Sequence, residues 1–164
     1  MHRKIFNYLF SLPADCVGWL TVLFLWACWG TKLRWQYGCL TCELKPGSWP
    51  MRTWYKNWAA TCLGHAMFFA PKIQFGPGAD TPTEIHELHH VRQTEAAMLG
   101  SFVVGLVALL GGCNLWVALA IWATGSLLMM LSSGVSAVLN GDHFYWGAHH
   151  EIAAYAVDGR GLNE

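Results

Sequence analysis

Apolar and polar positions alternate along this chain in long blocks, and the blocks predict its elements. Cys16 to Thr31 carries no charge, and with the flanking Leu9 to Ala14 and Leu33 it approaches the roughly 20 residues a helix needs to cross a bilayer. Lys32 to Asn57 is polar and irregular, with Pro46-Gly47 and Trp49-Pro50, and reads as a loop or short hairpin at an interface. Ala60 to Ala70, holding Gly64-His65 and then Met67, Phe68 and Phe69, reads as one strand closed by Pro71. Its edge could hold an extended peptide. After the turn at Gly76-Pro77-Gly78, Thr81 can cap a helix with Pro82 in its first position and Glu84 in its third, the capping-box arrangement. From Ala96 to Gly141 there is no Asp, Glu, Lys, Arg or His, a run too long for one span and sufficient for two. Gly111-Gly112-Cys113-Asn114 divides it into arms over 96–110 and 115–139. Asp142 can then cap a last helix that carries His149, His150, Glu151 and Tyr155 and stops at Gly159.

Composition turns these blocks into a membrane protein. Hydrophobic residues are 54% of the 164 and charged ones 12%, about half the charged share of an ordinary soluble domain. The fold class expected is mainly α, with membrane helices, a short β element and one small metal site. As a single domain it divides into an N-terminal anchor over 1–34, an interfacial loop and strand over 35–80, a helix over 81–95, a membrane hairpin over 96–141, and a closing helix and tail over 142–164. A cleaved signal peptide is the rival reading of the first block. The Trp-rich run ending in Trp29-Gly30-Thr31-Lys32 offers no small-x-small cleavage site and favours an uncleaved anchor. Ten Trp and five Tyr suit a chain with several bilayer interfaces. Formal net charge is zero with no basic patch, so nothing supports nucleic acid as a partner. The expected partners are the lipid bilayer and a peptide or membrane-protein substrate. Arg3 and Lys4 before the first span, against Lys32, Arg34 and Lys45 after it, tilt the positive-inside count slightly toward a cytoplasmic metal layer.

The chemistry concentrates at His86-Glu87-Leu88-His89-His90. Four residues are slightly more than one helical turn, so His86 and His90 share a face and can hold one tetrahedral zinc ion. Glu87 stands beside it, where a carboxylate can take a proton from water activated by the metal. A hairpin returns both its ends to one side of the bilayer, which brings Glu151 back to the histidines as the third ligand and leaves one position open. His149, His150, His143 and Tyr155 are candidates to donate to a developing oxyanion. Cys39-Leu-Thr-Cys42 is open between a disulfide, a metal pair and plain packing, while Cys16, Cys28, Cys62 and Cys113 lie among apolar neighbours and read as small hydrophobes. His65 reads as structural or solvated, Arg92 as a snorkelling side chain, Gln93 and Glu95 as solvent-facing or in contact with the ligands, and Met129-Met130 as packing.

These motifs resemble the gluzincin-type zincin metallopeptidases. The nearest branch is the integral-membrane one of the HtpX heat-shock proteases and CAAX prenyl proteases, where a Glu-x-x-Ala-Asp segment follows membrane helices. The stretch from Ala60 to Asp158 carries the resemblance, and His86 to Gln93 is also similar to small zincin-like membrane proteins with a Gln shortly after the second His. The resemblance implies His86, His90 and Glu151 as zinc ligands, Glu87 as catalytic base, and peptide-bond hydrolysis with Zn2+ as cofactor. Tyr155 stands where the membrane branch has Asp and His89 where it commonly has Gly, so Asp158 or Glu95 would have to orient a ligand histidine.

Two other functions compete. His86-x-x-His89-His90 together with His149-His150 also resembles the histidine boxes of di-iron membrane desaturases and hydroxylases. That architecture needs several such boxes, and the eight histidines here include His2 and the isolated His65. The third possibility is a non-catalytic membrane protein in which zinc clips helices together.

Overall fold

The computed structural model describes residues 5–53, 60–70, 82–141 and 149–158, the side chains of residues 149, 150, 157 and 158 excepted. In chain order the elements are α1 (Ile5–Trp29), β1 (Gly30–Gln36), β2 (Cys39–Leu44), α2 (Trp49–Arg52), β3 (Ala60–Leu63), β4 (Ala66–Phe69), α3 (Pro82–Leu110), α4 (Leu115–Ala123), α5 (Gly125–Leu139) and α6 (His149–Asp158). The architecture is mostly helical with one small sheet. By length and composition α1 and α3 can each cross a membrane, and α4 with α5 could form a third, broken span.

The β content exceeds the sequence expectation. The interfacial segment folds into a true hairpin, because Tyr37 and Gly38 both adopt positive φ and so turn β1 tightly onto β2. The stretch expected to be one strand from Ala60 to Ala70 is instead a second hairpin, β3 and β4, folded at Gly64-His65. Gly64 supplies φ +57, which a residue with a side chain adopts only at a cost. The sheet order is β1-β2-β4-β3, antiparallel except where β2 runs parallel to β4.

Strand alternation sends β4 into two cores at once. Phe68 and Ala66 join Val22 and Leu25 of α1 with Cys42 and Leu44 of β2, while Met67 and Phe69 join Val91 of α3 and Cys39. The sheet is thus a middle layer between the two long helices. Each large side chain buried there contributes roughly 1.5–3 kcal/mol, so β4, buried at all four positions, ties the layers together. Cys39 and Cys42 face opposite cores for the same reason, and all six cysteines are thiols, so the disulfide and metal-pair readings of the Cys-x-x-Cys fall to plain packing. Gly18 lets α1 approach this layer, since a Cβ there would clash with the Leu63 carbonyl oxygen.

The helix expected over 81–95 and the first arm over 96–110 are one continuous helix, α3. Thr81, Asp142, His143 and the Gly76-Pro77-Gly78 turn lie outside the described residues. The returning arm over 115–139 is two helices, bent by 55°. Asn114 starts it by accepting from the Val117 amide at 2.9 Å, and the Thr124 hydroxyl donates back to the Ala120 carbonyl at 2.8 Å just before Gly125, where the bend occurs.

Candidate metal centre

His86 and Glu87 are buried in the first turns of α3, with His90 one turn on and partly buried; Glu151 is buried at the start of α6. Ala154 seats α6 with no exposed surface, and the Tyr155 ring lies 4.6 Å from that of His86. The ligand-capable atoms of His86, His90 and Glu151 all fall within 4.8 Å of one another, so the group could hold a metal ion.

The individual distances test that fit. Nε2 of His86 and of His90 are 3.0 Å apart, and each lies 3.4 Å from a Glu151 carboxylate oxygen. Tetrahedral bonds of about 2.0–2.1 Å place ligand atoms about 3.3–3.4 Å from each other. The two edges to Glu151 match that spacing and the edge between the histidines is a few tenths of an ångström shorter, so the triangle is close to the size a tetrahedral ion requires. The tautomer agrees: Nδ1 of His90 donates to the Gln93 Oε1 at 2.8 Å, so a neutral ring turns the lone pair of Nε2 into the triangle.

Glu87 lines a cavity of about 130 Å³ with Cys62, His90, Gln93 and Glu151. Its Oε2 is buried and has no hydrogen-bond partner among the described residues. Such an atom costs free energy unless a water or substrate proton meets it. Burial first, then the Glu87 charge, pushes the Cys62 thiol well above its ordinary value, so it stays protonated beside Glu87. Met129 and Met130 of α5 close the cavity, beyond the packing role expected of them.

Other expectations divide. Glu95 turns to a different histidine: its Oε1 lies 2.9 Å from Nε2 of His65 and 3.0 Å from the Asn7 amide nitrogen. Gln93 takes the orienting role, because it sits three residues beyond His90 on the same helical face. The side chains of His149, His150 and Asp158 lie outside the described residues. His65 is not solvated: with no exposed surface, its Nδ1 meets Asp15 Oδ1 and Oδ2 at 2.8 and 2.9 Å. A neutral imidazole donates from one nitrogen only, so the Asp15–His65–Glu95 group holds either an imidazolium or a protonated carboxyl. Sequence reasoning missed this second buried cluster. Asp15, a carboxylate in an apolar helix, was its one signal.

The edge available to a peptide also moves. β4 is central, and among the described residues β3 ends the sheet, with Ala60, Thr61 and Cys62 lining the cavity. Comparison with protein-family models, with curated proteins and with solved structures gives no match for this chain.

Proposed function

We propose that this protein is a zinc-dependent membrane hydrolase of amide bonds, a metallopeptidase of zincin-like type. The observation that carries the reading is the tetrahedral-sized triangle of His86, His90 and Glu151 with the uncommitted Glu87 oxygen beside it. Those three residues would hold the ion, which would supply the positive charge that acidifies water and polarises a carbonyl. Glu87 accepts the proton of the attacking water and returns it to the departing amine. Gln93 keeps Nε2 of His90 turned inward. An extended substrate segment lies along β3, the sheet edge that borders the cavity.

Geometry weighs against the competing readings. Among the described residues one metal-capable group occurs, and His65 is engaged with Asp15 and Glu95, so no second histidine set is gathered among them. A structural clip has no use for a buried, unbonded carboxylate oxygen facing a cavity. The test is metal content and peptide turnover of the full chain beside two variants. Wild type is expected to carry one zinc, His86→Ala to lose it, and Glu87→Gln to keep zinc while turnover falls by about 10²–10⁴. Equal zinc in His86→Ala removes the metal assignment; undiminished turnover in Glu87→Gln removes the hydrolase.

A further inference from the structure

A second cavity, about 480 Å³, opens between α3, α4 and α5. Residues 86, 90, 93, 97, 100 and 104 of α3 follow three- and four-residue spacing and so form one stripe. The stripe begins at the two histidines, and from Gln93 to Val104 it is the wall of this groove. Gln93 and Met129 border both cavities, so the groove adjoins the cavity beside His90 and Glu151. Beyond Gln93 its lining is apolar apart from Ser101, whose hydroxyl is spent on the Met98 and Trp122 carbonyls at 3.0 and 3.1 Å. Gly100 leaves the groove clear, because a Cβ there would meet nothing within 4 Å.

We propose that this groove holds the hydrocarbon chain of an N-acylated peptide whose acyl carbonyl lies at the metal centre. The inference rests on the hydrolase reading above and names its substrate class. Gln93 to Val104 spans about 16 Å at 1.5 Å per residue, close to the roughly 15 Å depth of one leaflet. A single long acyl chain fits that length. A transmembrane helix is about 10–12 Å across and could seat only about one turn in such a volume. With the chain along α3 and the peptide along β3, the bond between them is the acyl amide. Water oxygen bonds to the acyl carbon, the C–N bond breaks with its electron pair leaving on nitrogen, and the proton taken by Glu87 ends on that nitrogen. The products are a long-chain carboxylic acid and a peptide with a free N-terminus.

The probe is an N-palmitoyl dipeptide with a diazirine on its chain, photolysed with the full chain in phosphatidylcholine nanodiscs. Labels are expected on Ala97 to Val104 and on Leu128-Met129. Excess N-palmitoyl dipeptide should compete them away, and the unacylated dipeptide should not. Gly100→Leu, which fills the groove, should cut the labelling at least tenfold while keeping its zinc. Labelling spread over all lipid-facing helices, or equal in Gly100→Leu, shows that bulk lipid alone fills the groove and overturns the inference whatever the turnover. Groove labelling without palmitate release from the zinc-loaded protein, in wild type as in Glu87→Gln, instead overturns the hydrolase reading.

Discussion

Gln93 accepts a hydrogen bond from Nδ1 of His90 at 2.8 Å, and this bond fixes which nitrogen of His90 faces Glu151. The residue that orients His90 is an amide on the same helix, three positions on, rather than a carboxylate on the last helix. Gln93→Leu removes the acceptor while preserving size, and should weaken zinc binding by roughly 10- to 100-fold. Competition against a chromophoric chelator measures it. Unchanged affinity would mean that packing alone holds the ring.

Metal removal should loosen α6 before the rest. Glu151 reaches α3 through the triangle, and binding to the folded state alone stabilises that state by mass action. Hydrogen exchange with and without a chelator is expected to show faster exchange over residues 151–156 and little change in β4, which has its own two cores. A uniform response across both elements would contradict this.

Stability should fall at alkaline pH through two thiols. Burial, then the Glu43 charge, pushes Cys42 up to about 11, and Cys62 is raised well above 9.0. Both values are higher in the folded chain than in the unfolded one. Their contribution is therefore fully present below about pH 9, the ordinary thiol value, and is lost as pH rises through the folded values. Thermal unfolding scanned from pH 7 to 11 should decline above 9, and a Cys42→Val, Cys62→Val variant should decline less. Parallel curves would exclude the thiols as the cause.

The Asp15–His65–Glu95 group joins α1, the β3–β4 turn and α3, with both carboxylates on one imidazole. His65→Leu strands two carboxylates and should cost about 3–5 kcal/mol. Gly64→Ala should also destabilise, since its Cβ would meet Asp15 Oδ1 at 2.5 Å from a positive φ. Adding Asp15→Leu to His65→Leu should recover part of the loss, because one stranded charge is removed. Denaturant titration in detergent distinguishes this from simple additivity, which would mean the pair does not interact.

Much of the local pattern was legible in the chain. The i, i+4 spacing puts His86 and His90 on one face whatever surrounds them, and the uncharged run over 96–141 marks apolar helices because charge is too costly in lipid. A segment that enters and returns leaves its ends together, and Glu151 does lie near the histidines. Periodicity was less informative for 60–70. A short apolar run looks alike as one strand or as a tight hairpin, and only the positive φ at Gly64 and the partner strand β2 divide it.

What the sequence determined by itself is the set of local geometries: helices, the histidine face and the apolar blocks, each fixed by neighbours within a turn or two. The tertiary structure alone decided the pairings between distant residues. It brought Glu95 to His65, set Cys62 against Glu87, and aligned a groove with the histidine stripe. Those outcomes depend on how α1, the sheet and α3 stack, and stacking follows from shape and burial summed over the whole chain, which no single motif encodes.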